Sequence, residues 1–411
     1  MRAQEAIRPY HDFDLAREID FDEVQAFERS EIPDHRGRRA PPFTAPPRDP
    51  RLAVTARGRG ATFNPPPRFD AQTPSVFDDG WDTLTADLAG LPPLRTTTIR
   101  DSSRTAIAWN QSPDVGFDRA VNPYRGCEHG CVYCYARPSH AYLGYSPGLD
   151  FESKLLYKPD VAALLEKELR KPGYVARTLA LGSNTDPYQP IERTMKLTRE
   201  VLEVMERFSH PVSIVTKSAG VLRDIDILQE LAGRNLVRVY ISVTTLDATL
   251  ARRMEPRAAT PFRRLQAIEQ LTAAGIPTGV LAAPMIPGLN DAEMERILEA
   301  CAKAGATNAG YILLRLPHEL RQIFEDWLHQ HFPDRARHVL ELIRETRGGG
   351  LSDSRFGKRF TGTGVYADLL ARRFTRAARA LGLSERQDLT CTDFRAPAAE
   401  AALAETQMSL F

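Results

Sequence analysis

Residues 177–208 read RTLALGSNTDPYQPIERTMKLTREVLEVMERF. The opening run, RTLALGS, is short and apolar and predicts a strand. IERTMKLTREVLEVMERF then repeats apolar residues at helical spacing and predicts an amphipathic helix. The same unit recurs down the chain. VSIVTKS (212–218) precedes VLRDIDILQELAG, and LVRVYISVTTL (236–246) precedes PFRRLQAIEQLTAAG. IPTGVLAAPMIP (276–287) precedes DAEMERILEACAKAG, and NAGYILLRL (308–316) precedes HELRQIFEDWLHQHF. Continuous runs rich in β-branched residues suit strands buried on both faces. Their alternation with helices implies right-handed βαβ units and a parallel sheet. Gly275 and Gly305 stand where helices stop before the next strand. A strand just before Asn122 brings the count to about six βα units, and a closed barrel of eight is the other option. In either architecture, chemistry gathers at the C-terminal ends of the strands.

One such end carries three cysteines. NPYRGCEHGCVYCYARPSHAY (122–142) spaces Cys127, Cys131 and Cys134 as C-x₃-C-x₂-C. Thiolates are soft, charge-donating ligands that suit iron. Three of them leave one corner of an iron–sulfur cluster without a protein ligand. A zinc knuckle with His129 or His140 as fourth ligand is the competing reading, although zinc sites favour C-x₂-C pairs across a longer spacer. A ferredoxin-type cluster needs C-x₂-C-x₂-C and a fourth nearby cysteine, whereas Cys301 and Cys391 are remote and Cys301 lies in a predicted helix. Five cysteines in 411 residues are too sparse for a disulfide framework. Gly126 and Gly130 let the loop wrap closely around a bulky group. Arg125 and His129 either donate to the sulfurs or have surface roles.

On these residues the chain resembles the radical S-adenosylmethionine (SAM) superfamily, whose motif is C-x₃-C-x₂-C with an aromatic before the third cysteine, here Tyr133. The longer run NPYRGCEHGCVYCYARPSHAYLGYSPGLDFESKLLYK (122–158) is similar to the subgroup related to spore photoproduct lyase. Within it, the chain is most similar to a bacterial branch of unassigned reaction. The resemblance spans roughly residues 100–345. It implies an α/β fold, a partial (βα)6 TIM-like barrel with the cluster loop after the first strand. It also implies a [4Fe–4S] cluster on Cys127, Cys131 and Cys134, with the amino and carboxylate groups of SAM on the open iron. Cleavage of SAM would then release a 5′-deoxyadenosyl radical that takes a hydrogen atom from a substrate. A flavodoxin or ferredoxin would supply the electron.

The resemblance also implies roles around the cluster. Tyr133 is expected against the adenine of SAM. Ser183, Asn184, Thr185 and Asp186 fall where many members carry a glycine–glycine–glutamate motif, absent here. They are expected at the amino group and ribose, with turn and N-cap chemistry as the other reading. Lys217, at a strand end, is expected to pair with the SAM carboxylate. Ser242 falls where the ribose or carboxylate binds, and alternation puts Thr244 on the same face. Ile286, between Pro284 and Pro287, is expected against adenine, with packing at the barrel mouth as the alternative. Spore photoproduct lyase has a further cysteine after the cluster loop that returns a hydrogen atom. The comparable run here, ALGSNTDPY, has none, so Tyr188 becomes the candidate donor, or the reaction differs.

The rest of the chain carries less. Residues 1–100 form an arm dense in proline, arginine and glycine, expected as a tail or a strap over the core. Its RGRG piece (57–60) reads as solvated, with nucleic-acid contact as the alternative. Residues 101–345 hold the barrel, and 346–395 a basic helical extension. Between Arg344 and Arg379 nine Lys/Arg face three Asp/Glu, a balance of +6. That is either a nucleic-acid patch or a solvated helix face. Residues 396–411 form a tail ending in QMSLF, which resembles the peptide that docks bacterial polymerases and repair proteins on the replicative sliding clamp. Gln407 would orient it, and Leu410 and Phe411 would fill an apolar pocket.

Hydrophobic residues make up 42% of the chain, enough for a sizeable core, and the net charge of +1 exerts no global pull on nucleic acid. No secretory or membrane-spanning run is visible, so a bacterial cytoplasmic location is expected. Three functions remain open: a radical SAM enzyme on nucleic acid, one on a small molecule or peptide, and a non-catalytic cluster-bearing DNA-binding or redox-sensing protein.

Overall fold

The computed structural model describes residues 58–69, 94–384 and 388–397. Most of the N-terminal arm, and the tail with Gln407, Leu410 and Phe411, fall outside the described residues. Ten strands are present among those described: β1 (Thr97–Arg100), β2 (Ile107–Trp109), β3 (Arg119–Val121), β4 (Tyr124–Arg125), β5 (Lys154–Tyr157), β6 (Leu179–Leu181), β7 (Val212–Thr216), β8 (Val237–Ser242), β9 (Thr278–Met285) and β10 (Asn308–Leu313). Seven build one sheet in the order β10-β9-β8-β7-β6-β3-β2. From β3 to β10 every neighbouring pair is parallel, and only β2 runs antiparallel. Six parallel strands in chain order make the partial (βα)6 barrel. β1, β5 and β4 form a small second sheet.

The helices are α1 (Leu149–Ser153), α2 (Val161–Leu169), α3 (Glu192–Met195), α4 (Leu197–Arg207), α5 (Ile225–Gly233), α6 (Ala248–Met254), α7 (Pro261–Ala273), α8 (Met294–Lys303), α9 (Leu320–His331), α10 (Pro333–Glu345) and α11 (Val365–Ala380). Val239, Ile241 and Val280 of the strands are fully buried, as are Leu228, Ile268 and Ile297 of the helices. This apolar layer between sheet and helices is the core. It is what the β-branched runs require, because parallel strands covered on both faces leave no polar side.

The helix expected over 191–208 is two helices. Lys196 breaks it with a left-handed φ of 56°. Glu192 Oε2 accepts from Thr198 N at 3.0 Å, and Thr198 Oγ1 donates to the Pro187 carbonyl at 2.5 Å. These bonds anchor the start of α4 to the β6 turn, and the kink follows. Elsewhere helices start as the sequence indicates. Asp247 accepts from Thr249 N and Leu250 N to cap α6, and Thr260 with Pro261 opens α7.

The basic segment after residue 344 is largely spent internally. Arg347 donates to backbone carbonyls. Arg355 pairs with Asp353, Arg359 with Asp114 and Arg373 with Glu295, each at 2.7 Å. α11 lies over β10, the sheet's edge strand, with the Tyr311 and Phe374 ring centroids 4.7 Å apart. Arg372, Arg376 and Arg379 occupy its exposed face. The RGRG piece is not solvated at Arg59, which donates to the Glu152 carbonyl at 2.6 Å and to Thr96 Oγ1 at 3.0 Å. No helix among the described residues is long and apolar enough to cross a membrane.

Candidate active site

The cysteine loop follows β3 and β4 at the C-terminal mouth of the barrel. Gly126 and Gly130 have φ of 77° and 67°. A Cβ at Gly126 would come within 2.8 Å of the Phe151 carbonyl, and one at Gly130 within 2.7 Å of Glu152 Oε2. The loop is tied on every side. Cys127 N donates to Phe151 O at 2.9 Å and Val132 N to Met254 O at 3.0 Å. Gln189 accepts from Glu128 N at 2.9 Å and donates to Gly126 O at 3.2 Å.

Beneath the loop lies an ion pair of Arg137 and Glu152, both 0% exposed. Arg137 also donates to the carbonyls of Cys131 (2.9 Å), Pro147 (3.1 Å) and Gly148 (2.9 Å). Glu152 accepts from Gly60 N at 2.9 Å and Ala61 N at 2.8 Å, which seats the strap residues 60–61 on the loop. A Cβ on Gly60 would lie 1.7 Å from the Gly130 carbonyl oxygen.

Cys127 and Cys131 are buried and Cys134 half-buried, all as free thiols. Burial, then the charges of Asp186 and the two neighbouring thiols, push Cys127 well above the ordinary thiol value. Burial and Glu255 push Cys131 up, and Lys217 and Arg264 partly offset them. Cys127 thus lies within electrostatic reach of both other sulfurs, and Cys131 within reach of Cys134. Neither histidine completes a zinc site. His129 Nδ1 lies 3.3 Å from Asp186 Oδ2, and His140 Nε2 lies 3.0 Å from the Lys154 carbonyl. Among the described residues no three His, Cys, Asp or Glu side chains close on a single ion. Three thiol donors within eight residues fit an iron–sulfur cluster by their chemistry, since soft thiolates are its natural ligands. Arg125 turns away to Asp101 at 2.7 Å.

The expected cofactor residues divide into two groups. Tyr133 is buried in one apolar cluster with Cys131, Val132 and Ile286. Its hydroxyl donates to Glu255, which also accepts from Thr244 Oγ1 at 2.7 Å and pairs with Arg264. Lys217 Nζ lies 5.7 Å from the Tyr133 ring centroid. Ser242 is buried, donates to Ala283 O at 3.1 Å, and its carbonyl accepts from Arg264 at 2.9 Å. Tyr133, Lys217, Ser242, Thr244 and Ile286 thus come together around the Cys131 side of the loop.

The β6 end behaves differently. Asn184 N is held by Asn122 Oδ1 at 3.1 Å, while Asn184 Oδ1 is buried without a hydrogen-bond partner. Ser183 Oγ lies 3.3 Å from Asn122 Nδ2. Thr185 Oγ1 donates to Tyr124 O at 3.0 Å. Asp186 accepts from Thr216 Oγ1, Lys217 N and Tyr188 N at 2.7, 2.7 and 2.9 Å. Burial alone would raise the Asp186 carboxyl, but His129 and these donors outweigh it and bring it to about 2. Thr185 and Asp186 are thus hydrogen-bonded within the turn. Tyr188 is buried in the core beside Asp224, with Arg223 Cζ 5.8 Å from its ring centroid.

Sequence reading passed over Glu255, Arg264 and Tyr135. Tyr135 adjoins Cys134 and donates through its hydroxyl to the Ser183 carbonyl, while 44% of the residue remains exposed. An aromatic beside the third cysteine was its only local signal.

Comparison with known proteins places the chain. A sequence profile described as the Radical SAM superfamily matches residues 121–301. An uncharacterized protein of Mycobacterium tuberculosis (strain ATCC 25618 / H37Rv) is 38% identical over 242 residues, covering 58% of this chain and 71% of its own. The chain belongs to the radical SAM superfamily. An uncharacterized protein of Methanocaldococcus jannaschii is 29% identical over 184 residues, 45% of this chain and 66% of its own. In fold, this radical SAM chain is similar to spore photoproduct lyase complexed with dinucleoside spore photoproduct. The TM-score is 0.52 at 18% identity, with 69% of this chain and 79% of that one covered. A tyrosine-to-phenylalanine mutant of that lyase matches equally, with a TM-score of 0.52 at 17% identity over 71% of this chain and 82% of its own. The chain is accordingly an enzyme of the radical SAM class, and the superfamily implies a [4Fe–4S] cluster and SAM.

Proposed function

We propose that this radical SAM enzyme holds a [4Fe–4S] cluster on Cys127, Cys131 and Cys134, binds SAM beside it, and acts on nucleic acid. The observation that carries the reading is the set of three thiols on one loop at the barrel mouth, with the Lys217 ammonium and the buried Tyr133 ring on its Cys131 side. When bound, the cluster and SAM supply a 5′-deoxyadenosyl radical that abstracts hydrogen. The chain's residues bind and aim. Lys217 is a point charge suited to a carboxylate. The buried Oδ1 of Asn184 needs a donor, which an ammonium or a ribose hydroxyl supplies. Tyr133 and Ile286 offer apolar surface to a purine, and the Glu255–Arg264 pair fixes the Tyr133 ring. Ser242 accepts from a hydroxyl while its own proton stays on Ala283. Ser183, whose carbonyl accepts from the Tyr135 hydroxyl, is assigned to the same cofactor.

A nucleic-acid target is supported by the likeness of fold to spore photoproduct lyase and by the exposed arginines of α11. The partners fitting this reading are a flavodoxin or ferredoxin as electron donor and the sliding clamp at Gln407, Leu410 and Phe411. The location fitting it is the bacterial cytoplasm.

The test is anaerobic reconstitution with SAM and dithionite, with and without ultraviolet-irradiated DNA, followed by mass spectrometry. The expected result is 5′-deoxyadenosine whose yield rises with DNA, and deuterium transfer from labelled DNA. No 5′-deoxyadenosine even with DNA would make the protein a non-catalytic sensor. Formation indifferent to DNA would point to a small molecule or peptide.

A further inference from the structure

Five side chains form a ladder that starts at the cysteine loop. Arg315 Cζ lies 5.5 Å from the Tyr135 ring centroid and 5.7 Å from that of Phe360. Arg359 Cζ lies 4.8 Å from Phe360 and 5.2 Å from Phe356. The order is ring, guanidinium, ring, guanidinium, ring. Its two end rings are open to solvent, Tyr135 at 44% and Phe356 at 45% exposure. Exposed Arg355 and Lys358 flank the outer ring.

The ladder is built on rigid supports. The buried Arg347 donates to the carbonyls of Leu313 (2.6 Å), Leu314 (2.8 Å), Lys358 (3.0 Å) and Arg359 (2.9 Å), pinning the 358–360 turn to the end of β10. Leu313 N donates to Phe360 O at 2.8 Å. Asp114 holds the other side, pairing with Arg359 at 2.7 Å and accepting from Gly357 N at 2.7 Å. Half-exposed Phe356 is thus held in place on a clamped turn. Burying a phenylalanine in the core would be the easier use of that residue.

We propose that this ladder is a stacking wall for unpaired nucleobases, which leads a polynucleotide strand from Phe356 to the cluster beside Tyr135. The open aromatic faces at the two ends accept any base, the interleaved arginines hold the rings by cation–π contact, and exposed Lys358 beside the outer ring adds phosphate attraction. Rings without a hydrogen-bonding recess read no sequence, so the wall binds strands with little base preference. The inference deepens the nucleic-acid reading and rests on it.

The experiment uses the full chain with its cluster reconstituted, under anaerobic conditions. Fluorescence anisotropy measures its affinity for a labelled single-stranded oligodeoxynucleotide and for the same strand with abasic positions. Phe356→Ala is expected to weaken binding to the ordinary strand about tenfold or more, the range of one lost base–aromatic stack. It should leave abasic-strand affinity unchanged, and Phe356→Trp should restore binding. If the native chain distinguishes the two strands and Phe356→Ala does so equally, the wall fails while the nucleic-acid function stands. An equal loss on both strands also overturns the wall, since the substitution then acts on something other than stacking. If the native chain binds no strand, the nucleic-acid function and the wall fall together.

Discussion

Replacing Glu152 by Gln tests whether the buried pair under the cysteine loop holds the loop and the strap together. The carboxylate is fully buried, pairs with an equally buried Arg137, and accepts from Gly60 N and Ala61 N. Glutamine keeps the shape but only one acceptor oxygen. If that oxygen serves Arg137 and Ala61, the amide nitrogen faces the Gly60 N–H, donor against donor. Reversing the amide loses both of the other bonds, so the first orientation is the lesser loss. Breaking a buried ion pair at one end costs about 3–5 kcal/mol, and an unsatisfied buried donor about 1–3 kcal/mol. Arg137 retains three backbone carbonyls, which keeps the sum near the lower end, about 4 kcal/mol. In a domain of this size that lowers the Tm of the apoprotein by about 5–10 °C. The strap should also loosen, so trypsin should cut after Arg59 faster than in the native chain. Differential scanning calorimetry and timed proteolysis with peptide mapping read both effects. The exposed pair Lys303–Glu299 is the control, and Glu299→Gln should leave Tm unchanged. An unchanged Tm together with unchanged cleavage after Arg59 would refute the clamp.

Alanine at any one of Cys127, Cys131 or Cys134 should abolish a stable cluster, whereas Cys301→Ala and Cys391→Ala should leave iron content and absorbance intact; the opposite pattern would remove the ligand assignment. Burial pulls His140 and His210 down to about 4. Their folded values lie below the unfolded value, so their contribution is full above about 6.5 and is lost as pH falls toward 4, about 3 kcal/mol each. Urea unfolding of the apoprotein at pH 7, 5.5 and 4.5 should show that decline, and His210→Gln should remove roughly half of it. Gly60→Ala puts a methyl into the Gly130 carbonyl, so the strap must lift. The expected result is faster bleaching of the reconstituted cluster in air and earlier cleavage after Arg59. Deleting residues 407–411 should abolish capture by the sliding clamp in a pulldown while leaving SAM cleavage unchanged.

What was legible in the sequence follows from the range of each interaction. Five of the six parallel strands lie within the quoted apolar runs and the sixth, β3, ends just before Asn122 as read, because strand burial is written locally. The kink at Lys196 was not legible, because the helical period runs straight through it. It is imposed by Thr198 reaching Pro187 and Glu192. The thiols were legible because three ligands share eight residues. Their supports were not: Tyr133 and Glu255 are 122 positions apart, and Gly60 and Glu152 are 92. Likewise SRFGKRF counts as basic in the sequence, yet folding spends Arg355 and Arg359 on aspartates and turns Phe356 outward. Charge counted along a chain overstates a basic patch whenever its partners come from elsewhere in the fold.

The same pairing shapes the field at the mouth. The carboxylates around the cysteine loop are held by partners: Glu128 pairs with Arg257, Glu152 with Arg137 and Glu255 with Arg264, while Asp186 accepts from Thr216 Oγ1 and Lys217 N. Unpaired, they would oppose ionisation of the thiols more strongly than burial already does, since like charges in a low-dielectric site repel over several ångströms. Lys217 has no carboxylate partner among the described residues, and its charge favours the Cys131 thiolate. The loop therefore pairs its own acids and keeps the Lys217 charge beside the Tyr133 ring and the Cys131 thiol. That charge favours the thiolate form that metal binding requires.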